Sequence, residues 1–338
     1  MGWALETSLD LDAVSAACPN CHILLVEAND SSLFHLGAAV DTAVALGAKF
    51  VSNSYGALDS AVASDSLDHF YTHAGVVVTA GTGDAGGVPD WPATNPNVVA
   101  VGGTSLTADA SIRGWHESAW VGGGSGCSIF ERRPAFQSAI ATACGNRAVA
   151  DIAADADPSS GLAVYDTLGQ SGWLQVGGTS LATPLITAMY ALAGTPVAGT
   201  FPVTYPYASA PNHLFDITDG SNQGFCGTVL CNAGAGWDGP TGLGTPDGVQ
   251  ALSFQNHGDL VGKIVDGATG APLAGARVST AEGFTATTDT GGRFDLAVPA
   301  GTYTVTAQAI GYQPKTTTGV LVTIGGLTTL SFKLTRLP

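Results

Sequence analysis

Positive charge is scarce in this sequence. Its 338 residues hold 11 lysines and arginines against 27 acidic residues, a formal net charge of −16. So acidic a chain repels phosphate backbones and anionic membrane surfaces, so neither nucleic acid nor membrane is an expected partner. Long apolar stretches are missing too: no run reaches the roughly 20 residues of a membrane-spanning helix, so no span is expected. Charged residues make up only 11% while hydrophobic ones reach 45%, a balance that excludes a disordered chain. The 46 glycines show no period, which excludes a collagen-like repeat and leaves turns and close approaches as their use. Met1 to Glu6 lacks both the basic start and the apolar core of a signal peptide, so the chain is expected to begin inside a domain.

The charge that is present is divided unevenly. Residues 1–256 carry 5 basic and 22 acidic residues, and residues 257–338 carry 6 and 5. This break predicts two domains, 1–256 and 257–338. A first domain so poor in bases suits an acidic medium, because protonating its carboxylates leaves little positive charge to repel itself. Six cysteines fall in three close pairs, Cys18/Cys21, Cys127/Cys144 and Cys226/Cys231. Local even pairing points to disulfides and an oxidising, extracellular compartment. For Cys18-Pro-Asn-Cys21 a redox or zinc site is the competing reading, although zinc needs a second ligand pair that the sequence does not supply.

Two periodicities alternate through the first domain. His22 to Glu27, Phe50 to Tyr55, Gly75 to Ala80, Asn97 to Gly102 and Trp173 to Val176 read as strands. Leu36 to Leu46, Ser66 to His73 and Ala182 to Ala193 have helical spacing. Continuous apolar strands alternating with helices predict an α/β fold, a mostly parallel sheet with helices on both faces and function at the strands' carboxyl ends. From Asp259 onward, short alternating runs separated by Gly and Pro turns predict a small all-β sandwich.

The most pointed chemical signal is Gly177-Gly-Thr-Ser180-Leu-Ala-Thr-Pro184. A strand, a Gly-Gly turn and a helix beginning at the serine would set its hydroxyl where backbone N–H groups stabilise an oxyanion. Pro184 reads as a first-turn proline, where a missing N–H costs little. The plainer reading makes Thr179 or Ser180 an ordinary N-cap. A serine nucleophile needs a base, yet no histidine sits in a suitable setting: His73 precedes Ala-Gly and His257 precedes Gly-Asp. Carboxylates are the remaining candidates. Glu6 and Asp10 lie four residues apart, hence on one helix face and able to share a proton; acidic residues in any first helical turn are the alternative. Asp84, in Gly81-Thr-Gly-Asp84-Ala-Gly-Gly87, follows an apolar strand directly, where either function or turn chemistry would put it. Asp216-Ile-Thr-Asp219 and Gly234-Ala-Gly-Trp-Asp238 offer carboxylates and carbonyls for a hard cation, or form a solvated acidic loop.

Taken in order, these residues resemble the sedolisins, serine-carboxyl peptidases with a subtilisin-like fold. The resemblance runs from about Gly2 to Val249. It includes Glu-x-x-x-Asp, Ser52-Asn-Ser-Tyr-Gly56, the Gly-Asp loop, Ala100-Val-Gly-Gly-Thr104, Gly-Thr-Ser-x-Ala-Thr-Pro and the Asp-Ile…Gly-x-Gly-Trp-Asp ending. It implies Ser180 as nucleophile, Glu6 as general base and Asp10 as the partner sharing its proton. It implies Asp84 as oxyanion donor beside the Ser180 N–H; burial in its loop and the negative field of the domain would favour the protonated form that can donate. Ca²⁺ would be held by the side chains of Asp216 and Asp238 and the carbonyls of Ile217, Gly234 and Gly236. The implied protein is a secreted, monomeric endopeptidase acting in acid on proteins and peptides. Family domains begin several dozen residues before Glu-x-x-x-Asp, so some sheet strands are expected to be missing here. The tail from Asp259 resembles a carboxypeptidase-regulatory-like sandwich. Two other readings compete: an impaired fragment or surface-binding protein that works through the sandwich, and a histidine-based serine peptidase.

Overall fold

Valine-rich runs too short for helices build the centre of the first domain. The computed structural model describes residues 2–222, 226–254, 257–281, 283–323 and 327–337. The chain divides into two compact units, Met1–Ser253 and Phe254–Pro338. In the first, strands β1 (Phe50–Asn53), β2 (Val77–Gly81), β3 (Val99–Ala108) and β5 (Ile152–Asp155) pair in parallel, and β4 (Trp115–Ala119) lies antiparallel to β3. Every residue of β2 is buried, as expected for a strand covered on both faces. Its consecutive side chains serve opposite layers. Val78 and Ala80 pack with Val40 and Ala43 of helix α2 (Leu33–Ala45). Val77 packs with Ala182, Ile186 and Tyr190 of helix α4 (Thr179–Ala193). The expected α/β fold with helices on both sheet faces is present.

Helix α1 (Trp3–Ala17) buries Leu5, Leu9 and Ala13 against Val164, Val176 and Leu181. The two valines belong to β6 (Leu162–Asp166) and β7 (Gly172–Val176), an antiparallel hairpin in a sheet of its own. Trp173 to Val176 is therefore a strand, but not one of the parallel sheet to which the sequence reading assigned it. Gly169 and Gly172, both with positive φ, turn the chain back so that Tyr165 pairs with Trp173. The segment His22 to Glu27 also departs from expectation, since it forms no strand. Ile23, Leu24 and Leu25 are exposed, and among the described residues β1 pairs with β2 alone. Val26 from this segment and Val51 from β1 line one cavity of about 800 Å³. An apolar run becomes a strand only where a neighbouring strand pairs with it. The helix expected over Ser66 to His73 starts earlier, as α3 (Ala61–Leu67), because the Ser60 hydroxyl accepts the Ala63 N–H and sets the start there. It continues as a 3₁₀ turn, Asp68–Tyr71.

All three expected disulfides are formed, Cys18–Cys21, Cys127–Cys144 and Cys226–Cys231, and with its two thiols joined Cys18-Pro-Asn-Cys21 offers no thiolate pair to zinc. No helix among the described residues is long and apolar enough to cross a membrane.

The described residues of the second unit form two four-stranded sheets. One is built on His257–Asp266, flanked by Arg293–Pro299, Leu327–Thr329 and Phe332–Leu334. The other orders Thr285–Thr287, Arg277–Thr280, Gly301–Gln308 and Lys315–Val322. Leu260, Ile264 and Phe294 from the first sheet meet Val278, Val305 and Val320 from the second in one core. The alternating inward side chains read from the sequence thus form the interior of a sandwich.

Candidate active site

The Gly177-Gly178 turn delivers the chain into α4 with Gly178 at the N-cap and φ of 99°. A side chain there would strain the backbone and its Cβ would lie 2.6 Å from Asp84 Oδ2. The helix begins at Thr179, so Ser180 is its second residue. Its N–H is one of the initial donors that have no acceptor within a helix. Neither Thr179 nor Ser180 is the cap. Asp84 acts instead from the loop after β2, its Oδ1 accepting the Thr179 N–H at 2.8 Å and the Thr179 hydroxyl at 2.9 Å. Because the helix starts at Thr179, Pro184 falls in the second turn and not the first. Its missing N–H would have been the partner of the Ser180 carbonyl.

Glu6 and Asp10 occupy the face of α1 turned towards this turn. The Glu6 carboxyl is pushed up, first by burial and further by the charge of Asp84, while the neighbouring Ser180 hydroxyl pulls it down. Glu6 Oε1 is buried with no hydrogen-bond partner, which suits an acceptor for a serine proton. Asp10 is pushed up to about 7 by burial, against the hydrogen bond from Ser54 and with the added repulsion of Glu6. The two acids therefore hold a proton between them well above the ordinary carboxyl range. The structure brings Glu6, Asp10, Asp84 and Ser180 to one place. In one respect it differs from expectation: Asp84 is exposed, not buried in its loop. One carboxyl oxygen is held by Thr179, yet the residue as a whole remains exposed.

Two further residues belong to this neighbourhood. Ser54, just past β1, donates to Asp10 Oδ1 at 2.6 Å and lies 3.2 Å from the Ser180 carbonyl. Asp90 packs its carboxyl against Gly56 and Gly83 and is raised to about 6 by burial and by Asp84. Ser54 was within reach of sequence reading through Ser52-Asn-Ser-Tyr-Gly56. Asp90 belongs to no motif read from the sequence; the loop returns it to Asp84, six residues earlier, as its N–H donates to the Thr82 carbonyl.

The Asp216 and Asp238 loops also meet. The Gly236 N–H donates to Asp216 Oδ2 and the Gly234 N–H to Asp238 Oδ2, each at 3.0 Å. Thr241 gives two more hydrogen bonds to Asp238 Oδ1. Burial, with repulsion from Asp216, raises Asp238 to about 7. Asp216 and Asp238, which repel each other, are the carboxylate oxygens that a hard cation would take here. Among the described residues no cluster of three or more His, Cys, Asp or Glu side chains is placed to hold a metal, so carbonyls would have to complete the shell.

Residues 4–199 match the subtilase family and residues 259–335 the carboxypeptidase regulatory-like domain. Sedolisin of Pseudomonas sp. (strain 101) is 36% identical over 172 residues, 46% of this chain and 28% of that protein. Kumamolisin of Bacillus sp. (strain MN-32) is 32% identical over 282 residues, 73% of this chain and 50% of that protein. The chain thus spans half or less of the length of these relatives. Among solved structures, Pseudomonas sedolisin complexed with two molecules of pseudo-iodotyrostatin superposes with a TM-score of 0.61 at 29% identity. That match covers 72% of this chain and 76% of that one.

Proposed function

The chain belongs to the subtilase family, with sedolisins among its relatives, and on that premise we propose that it is a secreted serine-carboxyl endopeptidase. It acts as a monomer on protein and peptide substrates in an acidic medium. One observation carries this reading: the Glu6–Asp10 pair and Asp84 converge on Ser180 at the start of α4, with no histidine among them.

In this mechanism Ser180 Oγ attacks the scissile carbonyl and its proton passes to Glu6. Asp10 shares that proton and keeps Glu6 oriented along α1. Negative charge then grows on the substrate oxygen, where the Ser180 N–H and the Asp84 carboxyl donate. An ionised carboxylate has no hydrogen to give. Asp84 therefore serves this step only when protonated, which ties the reaction to acid. Glu6 returns its proton to the leaving amine, and water repeats the sequence on the acyl-enzyme.

Ca²⁺ would be held by Asp216, Asp238 and the carbonyls of Ile217, Gly234 and Gly236, neutralising the two carboxylates and binding their loops together. The three disulfides support an oxidising, extracellular setting. Casein digestion at about pH 4 tests the reading, with Ser180→Ala as control. Internal fragments that vanish in Ser180→Ala support an endopeptidase. Release of tripeptides alone would make it an exopeptidase, and no cleavage would favour a surface-binding protein using the C-terminal sandwich.

A further inference from the structure

Ser54 has one hydroxyl proton and two acceptors. Asp10 Oδ1 lies 2.6 Å away and the Ser180 carbonyl 3.2 Å away. The second acceptor exists because Pro184 has no N–H to give to that carbonyl. Ser54 is itself buried, so water does not readily substitute for it. We infer that Ser54 is a positioning residue that couples the protonation of Asp10 to the backbone of the nucleophile. The inference rests on the proposed roles of Glu6, Asp10 and Ser180.

Two arrangements follow from the inventory of protons. With Asp10 ionised, Ser54 donates to its carboxylate, a short charge-assisted bond. With Asp10 protonated, the acid donates to Ser54 Oγ, and the serine hydrogen turns to the Ser180 carbonyl. No bond is made or broken in the exchange, and the proton count of each arrangement is that of Asp10 alone. Ser54 thus stabilises the carboxylate when Glu6 must accept a proton, and ties down the first turn of α4 when the pair is loaded.

Glu6 is the charged group that acts on Asp10 directly. His22, Glu27, Asp30 and Lys49 line the same cavity. The hairpin packed on α1 brings Asp166, and α4 carries no charged side chain. Among the described residues, the side chain that gives Asp10 a hydrogen bond is Ser54.

Ser54→Ala removes the donor to the carboxylate, so the pair should keep its extra proton to higher pH. The size expected for one charge-assisted hydrogen bond is a tenfold change in proton affinity, or about one pH unit. The direct measurement is the Asp10 carboxyl titration by ¹³C NMR, made in Ser180→Ala protein so that no turnover is required. Ser54→Ala should move that titration upward, and Ser54→Thr, which keeps the hydroxyl, should return it. In the active enzyme the acid limb of kcat/KM should move the same way. An Asp10 titration unchanged by Ser54→Ala overturns the inference, as does an upward shift that Ser54→Thr does not reverse. Failure of the catalytic reading shows itself separately, as absence of acid-dependent cleavage lost in Ser180→Ala.

Discussion

Asp84 and Thr179, separated by 95 residues, are joined by two hydrogen bonds to a single carboxyl oxygen, Asp84 Oδ1. The loop after β2 thereby fixes the start of the helix that presents Ser180, and Oδ2 remains to carry a proton. Asp84→Asn keeps both an acceptor and a donor at every pH. It should lose less activity than Asp84→Ala, and its rate should fall less steeply towards neutrality. For Asp84→Ala a loss of about a hundred- to a thousandfold in kcat is expected, the scale of one oxyanion donor. Full activity of Asp84→Ala would remove this role.

Ser180→Ala and Glu6→Gln should both leave the fold intact and lose at least about a hundredfold in activity, the lower range for a general base. Glutamine keeps the shape of Glu6 but cannot take the serine proton. Circular dichroism at pH 4 checks the fold, and peptide turnover the chemistry. Turnover within tenfold of wild type in either variant would exclude the assigned role.

Stability should also depend on pH. Asp10 and Glu131 are raised to about 7, and Asp90 and Asp155 to about 6, in each case chiefly by burial. A carboxyl raised on folding binds its proton more tightly in the native state. Its contribution is therefore complete below the unfolded value near 4 and is lost as pH rises through 6 to 7. The urea midpoint of the first unit should be higher at pH 4 than at pH 7.5, and Glu131→Gln should flatten the difference. In the second unit Asp266 is lowered by the Thr269 N–H and by Arg336, so that unit should lose stability in strong acid instead.

Arg147 and Asp151, both fully buried, meet through two contacts of 2.6 Å, and Tyr207 and the Ala100 N–H complete the carboxylate's bonds. Arg147→Met would leave that carboxylate buried without its cation. A loss of about 3–5 kcal/mol is expected, measurable by urea denaturation. A change below about 1 kcal/mol would mean the site rearranges or takes up a proton.

Calcium removal should act on stability and not on chemistry. Ca²⁺ at a hundredfold excess over its Kd would contribute about 2.7 kcal/mol to the folded state. Chelation near neutral pH should therefore lower the melting temperature, and Asp238→Asn should abolish that response. A melting temperature indifferent to chelator would count against the site.

Local pattern was enough to read much of this protein. Apolar runs marked β1, β2 and β3, because buried strands of a parallel sheet need no partner-specific code. A four-residue spacing set Glu6 and Asp10 on one face of α1, since helix geometry is local. Gly-Gly-Thr-Ser marked the turn into α4. The charge break near His257 predicted two domains, and the two compact units divide between Ser253 and Phe254.

Tertiary structure decided the rest. Trp173 to Val176 has the composition of a sheet strand but pairs in a hairpin, because the glycines at 169 and 172 reverse the chain. His22 to Glu27 has the same composition and forms no strand, because strand formation depends on a neighbour that composition does not reveal. That Asp84 binds Thr179 and that Ser54 reaches both Asp10 and the carbonyl freed by Pro184 are contacts across 95 residues for Asp84 and across 44 and 126 for Ser54. Spacing along a chain fixes which side chains share a helix face or a strand face. Contacts between distant segments depend on how those faces pack, and only the folded chain settles that.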